Sequence, residues 1–203
     1  LERICTAVSR QQSLVDGLLK LSQVSTDTVL FADVDLNVTF DEVVGDLELA
    51  IAEHSAEVSR GDLPRVEGNP VQLRPLFQNL IGNSLKYQDG SHAPIVRVAI
   101  KDVNAADDVT TALGRAQIAF TDNGIGFSPE EHERIFGIFH RLHDRGTFEG
   151  TGIGLALCRK ICEQHGGSIT AHSDGVGGSE FLVTLPLGRE ETSRWMAQDE
   201  TSC

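Results

Sequence analysis

Basic residues are scarce in this chain of 203 residues. Lys and Arg number 17 against 30 Asp and Glu, which gives a formal net charge of −13 at pH 7. A general nucleic-acid-binding surface needs clustered Lys and Arg against the phosphates, so this charge balance argues against a nucleic-acid partner. Hydrophobic residues make up 40% and charged residues 23% of the chain, as in an ordinary globular protein with one substantial core and an appendage.

Long hydrophobic runs and metal-spaced cysteines are absent as well. The longest apolar runs have the length of a strand, so no segment is predicted to span a bilayer. The charged pair in Leu1-Glu2-Arg3-Ile4 argues against a signal peptide. Cys158 and Cys162 lie one helical turn apart in an apolar stretch, which favours buried thiols over a metal site. We expect a cytoplasmic, reducing environment without membrane contact by this fragment, although a longer protein could be tethered through upstream regions.

Residues 1–27 are predicted to form one helix of a helical bundle. Positions with alternating four- and three-residue spacing, two of them polar, follow the pattern of a coiled-coil seam, and its apolar members are Ile4, Val8, Val15 and Leu18. No capping residue precedes Leu1, which predicts that the helix starts further upstream in a longer protein. The alternative is an N-terminal helix that packs on its own domain.

Residues 28–188 show mixed strand and helix patterns, and residues 189–203 form a polar tail. Strands are predicted at residues 30–36, 65–67, 95–100, 117–120, 168–172 and 180–187. Helices are predicted from residue 39 with a buried face at Val43, Val44, Leu47 and Ile51, from Pro70 behind the N-cap Asn69, and over residues 154–164. This order predicts an α+β fold, a two-layer sandwich of a mixed five-stranded sheet and three helices, preceded by the bundle helix.

Two glycine clusters stand in the second half of the chain, the run DNGIGF at 122–127 and the run GTGIGL at 150–155. Glycine lacks a Cβ, so such runs allow sharp turns and the close approach of another molecule. The second run enters a helix, and the unpaired N–H groups at a helix start attract phosphate. The clusters come too late for a dinucleotide-binding fold, and no Gly-Lys-Ser or Gly-Lys-Thr phosphate loop occurs.

A third motif, QNLIGNSLKY, lies on the middle predicted helix at 78–87. Asn79, Asn83 and Lys86 recur at i, i+4 and i+7, so they share one helical face. Amide oxygens suit Mg²⁺, and an ammonium group neutralises phosphate charge. Alone, this face is more typical of a solvated polar surface. Beside two glycine clusters it predicts a nucleotide site.

Together with the motif IFGIF at 135–139, these blocks resemble, in their order, the ATP-binding domain of sensor histidine kinases. That domain belongs to a wider family with gyrase, the ninety-kilodalton heat-shock chaperone and the mismatch-repair ATPases. The resemblance runs from about residue 30 to residue 187. Residues 1–24 resemble the second helix of the dimerisation and phosphoacceptor domain, and residues 139–150 look most like the phytochrome-related kinases.

The resemblance implies ATP and Mg²⁺ as ligands. Asp122 would accept a hydrogen bond from the adenine amino group, which selects adenine over guanine. Asn83 would coordinate Mg²⁺, and Asn79 and Lys86 would act beside it on the phosphates. The further contacts that the resemblance implies for the nucleotide are Tyr87, Gly124, Gly126, Gly150, Thr151, Gly152, Gly154 and Leu155.

Residues 128–149 would form a lid over the nucleotide, with Phe136 and Phe139 anchoring its base. Arg141 or Arg145 would reach the γ-phosphate from this lid, because a guanidinium fork matches phosphate oxygens. The alternative for both arginines is a merely solvated charge.

Two features of the sequence bear on the reaction: Asn79, which separates branches of the family, and the missing acceptor histidine. Members that hydrolyse ATP are expected to carry Glu at the position of Asn79, and an amide cannot take a proton from water, so transfer to a protein nucleophile is favoured. The acceptor histidine of the family precedes an acidic residue on the first bundle helix, and His132-Glu133 lies in the lid instead. The other histidines are expected at the surface or in loops: His54, His92, His140, His143, His165 and His172. Ser84 stands where the family usually has alanine.

The resemblance therefore implies the catalytic domain of a histidine protein kinase. It would transfer the γ-phosphoryl group of ATP to a histidine on an upstream helix outside this chain, and that group would pass to an aspartate of a response-regulator receiver domain. A homodimer through the bundle is implied for the full-length protein. The alternative is an ATP-binding module without transfer activity that acts as a nucleotide-gated interaction domain, and an ATP hydrolase ranks third because of Asn79.

Overall fold

The computed structural model describes residues 2–26, 30–104, 114–142, 148, 150–188 and 191–192. In chain order its helices and strands are α1 (Glu2–Thr26), β1 (Ala32–Asp35), α2 (Leu36–Asp46), α3 (Glu48–Glu53), β2 (Glu57–Arg60), β3 (Arg65–Gly68), α4 (Pro70–Lys86), β4 (Ile95–Asn104), β5 (Arg115–Asp122), α5 (Gly154–Gln164), β6 (Ser168–His172) and β7 (Ser179–Pro186). None of the described helices is both long and apolar enough to cross a bilayer.

The main sheet has five strands in the order β2-β4-β5-β7-β6, with β2 parallel to β4 and every other pair antiparallel. Helices α4 and α5 pack against one face of this sheet, and α2 packs beside α4 to complete the helical layer. The core lies between the layers, where the rings of Phe77 on α4 and Phe120 on β5 meet edge to face at 4.9 Å. The predicted α+β sandwich with a mixed five-stranded sheet is confirmed.

Helix α1 confirms the predicted N-terminal helix and packs against α5. The contact is close at Gly17, where an added Cβ would lie 2.9 Å from Ile153 Cδ1. The opposite side of α1 stays open, with Val8 and Val15 each 54% exposed. One side of the helix therefore packs on the domain, and part of its apolar seam is exposed, so its membership of a bundle stays a prediction. The side chain of Ile4 lies outside the described ones.

The region before α4 differs from the prediction of a strand over 30–36 and a helix from residue 39. Asp35 ends β1, and α2 begins at Leu36 because the Asp35 carboxylate accepts a hydrogen bond from Asn37 N at 2.9 Å and caps the helix. The single predicted helix is divided at Leu47 into α2 and α3. Of its predicted buried face only Val43 is fully buried, and the half-buried members pack at the edge of the core: Val44, Leu47 and Ile51.

Strand β2 is not predicted by the sequence pattern, since Val58 is its only strongly apolar residue. It forms through parallel pairing with β4, where Val58 lies opposite Val96. The predicted strands β1 and β3 do not join the main sheet and pair with each other in a separate two-stranded sheet. The prediction of a five-stranded main sheet was therefore right, but two of the six predicted strands lie outside that sheet and one of its edge strands, β2, was not predicted.

His165 contradicts the expectation of a surface or loop histidine, because it is 2% exposed at the end of α5. Its Nε2 accepts a hydrogen bond from Asn69 N at 3.0 Å, and its Nδ1 donates to Ile161 O at 2.7 Å. This pattern requires the neutral imidazole, and burial lowers the pKa of His165. His165 thus ties the C-terminal end of α5 to the confirmed N-cap of α4, at Asn69 and Pro70.

Candidate functional site

A pocket of about 600 Å³, including the space at its open mouth, lies between α4, the end of β5 and the segment before α5. Six of the residues predicted for the site line it: Asn83, Tyr87, Asp122, Gly126, Arg141 and Leu155. Its remaining lining was not predicted and is mostly apolar: Ile125, Phe127, Ile135, His140, Leu142, Ser179 and Phe181. An apolar slot with a few directed polar groups is the usual form of a small-molecule site.

Asp122 forms the polar floor of one end of the pocket. Its Oδ1 accepts hydrogen bonds from Gly124 N at 2.9 Å and Ser179 N at 3.1 Å. Its Oδ2 accepts from the hydroxyls of Ser84 at 3.0 Å and Ser179 at 2.7 Å. Ser179 lies directly opposite Asp122 in the pairing of β5 with β7, so the sheet register holds this carboxylate in place.

The first glycine cluster is required by close packing within the protein itself. An added Cβ at Gly124 would lie 2.4 Å from Tyr87 O. Gly126 has a φ of +65°, and an added Cβ there would lie 2.5 Å from the hydroxyl oxygen of Ser173. Ser173 in turn accepts a hydrogen bond from Phe127 N at 3.0 Å. These glycines therefore let the loop fold tightly beside Asp122 and shape the wall of the pocket.

The second glycine cluster meets the asparagine face of α4. An added Cβ at Gly154 would lie 2.6 Å from Asn79 Oδ1, and one at Gly150 would lie 2.7 Å from Lys86 Nζ. No side chain caps the start of α5 within the described part of the chain, so its first N–H groups lack a side-chain acceptor there. Thr151, between these glycines, is half-buried. The structure thus brings together two motifs that are far apart in the sequence.

Two cations, Lys86 and Arg141, lie beside the second glycine cluster and have no acidic partner among the described residues. Arg141 donates hydrogen bonds to Gly150 O at 3.1 Å and to Phe148 O. Lys86 donates to the Tyr87 hydroxyl at 3.2 Å and sits 4.5 Å from the centre of that ring. Neither forms a salt bridge with any residue that the structure describes, although the chain carries a charge of −13. Two cations that have only neutral partners among the described residues of an acidic protein favour an anionic ligand here.

The donor set can also hold a cation. Asn83 lines the pocket, and its side-chain amide forms no hydrogen bond with the described residues. The Asn79 amide nitrogen donates to Pro75 O at 2.7 Å, which turns its oxygen toward Gly154. Amide oxygens are ligands for hard cations such as Mg²⁺, usually completed by water and phosphate oxygens. Among the residues described, no His, Cys, Asp and Glu cluster offers an all-protein metal site.

The predicted lid is only partly covered by the described residues, and His143 and Arg145 lie outside them. Phe136, a predicted anchor of the lid, is 4% exposed, and the Arg159 guanidinium lies 4.2 Å from its ring centre. Phe139 differs from that expectation, since it is 54% exposed with a φ of +64°. Its backbone N–H donates to Gly152 O at 2.9 Å, so the backbone and not the ring joins it to the second glycine cluster.

Sequence reasoning missed three polar residues of the site. Ser84 was noted only as a departure from alanine, and its contact with Asp122 spans 38 positions of sequence. Ser179 carries no motif of its own. His140, expected as a surface or loop residue, lines the pocket, and its Nε2 lies 2.8 Å from Glu131 Oε2. The available signal for Ser84 was its place beside Asn83 on the same helix.

Comparison with known proteins agrees with this geometry. Residues 68–189 match the family model described as histidine kinase-, DNA gyrase B-, and HSP90-like ATPase. The chain is 37% identical over 187 residues to cyanobacterial phytochrome A from a Nostoc species, covering 92% of this chain and 23% of that protein. It is 37% identical over 183 residues to the phytochrome-like protein Cph1 from Synechocystis, covering 90% of this chain and 23% of that protein. The chain thus spans under a quarter of the length of these relatives.

Solved structures show the same fold. Full-length ShkA in complex with AMPPNP superposes with a TM-score of 0.70 at 22% identity, covering 87% of this chain and 35% of that chain. Histidine kinase ThkA in complex with the response regulator protein TrrA superposes with a TM-score of 0.67 at 21% identity, covering 93% of this chain and 50% of that chain. By its matched family model and its fold, the chain belongs to the family of histidine kinase-, DNA gyrase B- and HSP90-like ATPases.

Proposed function

We propose that this chain is the catalytic part of a cytoplasmic histidine protein kinase, with residues 28–188 as the ATP-binding domain and residues 1–27 as a bundle helix. The observation that carries the proposal is the meeting of Lys86, Arg141 and the uncapped start of α5 at one end of a pocket whose other end is Asp122. A triphosphate fits the cationic end. A purine fits the apolar slot that leads to Asp122.

Each polar group then has a role in binding. Asp122 accepts a hydrogen bond from the adenine amino group at the floor of the slot. Asn83 supplies an amide oxygen to Mg²⁺, which when bound neutralises charge on the phosphate oxygens. The ammonium of Lys86 and the N–H groups at the start of α5 hold the phosphates, and Arg141 exchanges its carbonyl partners for phosphate oxygens.

The surroundings of Asn79 favour transfer over hydrolysis. Its amide nitrogen is engaged with Pro75 O, and its oxygen faces Gly154, so the residue presents no basic group to a water molecule. Chemistry then rests on positioning and charge neutralisation, which suits an acceptor imidazole delivered by another segment. An ATP hydrolase remains the weaker alternative for this reason.

The open side of α1 supports a bundle partner. Val8, Val15 and Leu18 are 54%, 54% and 42% exposed along one helix, whereas Val24 near its end is 8% exposed. We propose that this seam packs against the upstream acceptor helix and against a second copy of the chain. The ThkA structure, which contains the response regulator protein TrrA, supports a receiver domain as the next phosphoryl acceptor.

Phosphorylation in trans tests the proposal. The chain is mixed with the upstream helix of its full-length protein and with γ-labelled ATP and Mg²⁺. We expect an acid-labile label on the helix, as for phosphoimidazole, and none on the chain alone. ATP binding without any label would favour the interaction module, and steady phosphate release without labelled protein would favour the hydrolase.

A further inference from the structure

The Asp122 carboxylate is already saturated with hydrogen bonds inside the protein. A carboxylate offers about four lone-pair sites on its two oxygens. Four donors occupy them at 2.7 to 3.1 Å: two backbone N–H groups and the hydroxyls of Ser84 and Ser179. A further donor that arrives from the pocket must therefore displace one of these four or share its acceptor site.

Ser84 is the donor that can leave most easily. The N–H groups of Gly124 and Ser179 are held by the loop and by the strand register, and the Ser179 hydroxyl, at 2.7 Å, has no second acceptor among the described residues. The hydroxyl of Ser84 lies 3.2 Å from Leu80 O as well as 3.0 Å from Asp122 Oδ2, so it has a second acceptor within reach. Ser84 is 3% exposed and does not line the pocket, so it acts only through Asp122.

Turning this hydroxyl away has an electrostatic cost. With its proton directed at Leu80 O, the Ser84 oxygen faces Asp122 Oδ2 at about 3.0 Å with no proton between them. Two electron-rich oxygens at that distance repel each other in a partly buried site. Removing the hydroxyl would free one acceptor site, and three donors would still hold the carboxylate in place.

We propose that Ser84 is a specificity-determining positioning residue, whose hydroxyl competes with the exocyclic amino group of the nucleotide base for Asp122. The inference rests on the proposed function, in which Asp122 accepts the hydrogen bond from adenine. A merely structural role of Ser84 predicts that loss of its hydroxyl weakens nucleotide binding. The proposed competition predicts the opposite: loss of the hydroxyl strengthens binding of a base with an amino group and leaves the binding of other bases unaffected.

Binding of ATP and of purine riboside triphosphate, which has hydrogen in place of the amino group, is measured by calorimetry with Mg²⁺. For Ser84→Ala we expect the dissociation constant for ATP to fall about two- to ten-fold, the range of one net hydrogen bond, with purine riboside triphosphate unchanged. Ser84→Cys, with a weaker donor of similar size, should shift the ratio of the two constants in the same direction by less.

Thr39→Val is the matched control, because Thr39 is also buried and its hydroxyl donates to the carbonyl four residues earlier, Asp35 O, at 3.2 Å. Thr39→Val should leave the ratio of the dissociation constants for ATP and purine riboside triphosphate unchanged. Weaker ATP binding by Ser84→Ala, or an equal change for both nucleotides, overturns the inference and leaves the function intact. Equal binding of both nucleotides by the wild type removes the role of Asp122 in the proposed function, and the inference falls with it.

Discussion

The two ends of the pocket, which we propose bind the base and the phosphates of the nucleotide, are built in different ways. At the base end, every acceptor site of Asp122 is filled by a donor from α4, the first glycine cluster or β7. At the phosphate end, Arg141 and Lys86 contact carbonyl oxygens, a hydroxyl and a ring. The Asp122 end is held in place by the protein before a ligand binds. At the other end, the described partners of Arg141 and Lys86 are neutral groups, which a phosphate can replace.

This difference indicates that one end of the pocket selects the base and the other binds the phosphates and supports their transfer. A carboxylate held from several sides selects a base by shape and hydrogen-bond direction, because it cannot move to suit a wrong partner. Cations on carbonyls lose little when they exchange these for charged oxygens, since charge-assisted hydrogen bonds are the stronger ones. Selectivity should therefore respond to changes at the base end, and phosphate affinity and transfer to changes at the phosphate end.

The largest expected effect is at Asn83, the proposed metal ligand. Asn83→Ala should lower phosphoryl transfer at least about 100-fold, because a bound metal stabilises the transferring group by several kcal/mol. Labelling of the upstream helix with γ-labelled ATP measures the loss. Gln78→Ala on the exposed side of the same helix is the control and should transfer normally. Undiminished transfer by Asn83→Ala would remove Asn83 from the metal site.

Asp122→Asn tests the rigid end. The amide oxygen can keep the hydrogen bonds from Gly124 N and Ser179 N, and the amide nitrogen can donate to the serine hydroxyls, so the fold should persist. ATP affinity should fall by about 1–3 kcal/mol, because the charged acceptor for adenine is lost. Calorimetry with ATP and GTP measures both the loss of ATP affinity and the expected smaller preference for ATP over GTP. Equal affinities of the wild type for ATP and GTP would contradict the role of Asp122.

Arg141→Gln tests the exchangeable end. We expect ATP affinity to fall by about 1 kcal/mol and approach that for ADP, because one charge-assisted contact to the terminal phosphate is lost. The ratio of ATP to ADP dissociation constants is the measurement. Arg134→Ala is the control in the same segment, since its side chain is 64% exposed and pairs with Glu131. A similar loss of ATP affinity in both variants would show that the overall charge of the lid, and not a specific contact of Arg141, supports binding.

The smallest expected effect is at His165, which connects the C-terminal end of α5 to the N-terminal end of α4. The folded pKa of His165 is lowered from 6.5 by burial, so the unfolded chain binds the proton more readily. The stabilising contribution of neutral His165 is complete above about pH 6.5 and is lost as the pH falls below that value. Urea unfolding midpoints between pH 7.5 and 5.5 should fall more steeply for the wild type than for His165→Gln. The exposed His54→Gln control should keep the wild-type slope, and parallel slopes for all three proteins would refute the role of His165.

The helices of the site could be predicted from local signals. Asn69 and Pro70 start α4, and helical apolar spacing marks α5 from Gly154, because capping, proline geometry and periodicity act over a few turns of chain at most. The glycine clusters were likewise readable, although what they accommodate is the protein's own packing at Tyr87 O and Ser173. Patterns of this kind depend on neighbours within a few residues, so they are present in the sequence itself.

Partners across the chain could not be predicted in this way. The Asp122 carboxylate and the hydroxyl of Ser179 are 57 positions apart, and His165 and Asn69 are 96 positions apart. Strand β2 exists because β4 offers it hydrogen bonds, not because of its own apolar pattern. Strand register and packing decide such contacts. Neither produces a periodic sequence pattern at the residues that make the contact.

The sequence by itself determined the fold class, the order of the motifs and the kind of ligand, because these follow from local periodicity, capping and residue chemistry. Only the tertiary structure decided which donors fill the carboxylate of Asp122, and that Arg141 and Lys86 reach the second glycine cluster without an acidic partner among the described residues. The physical reason is distance along the chain: hydrogen bonds and charges act over a few ångströms, and folding alone brings these groups within that range.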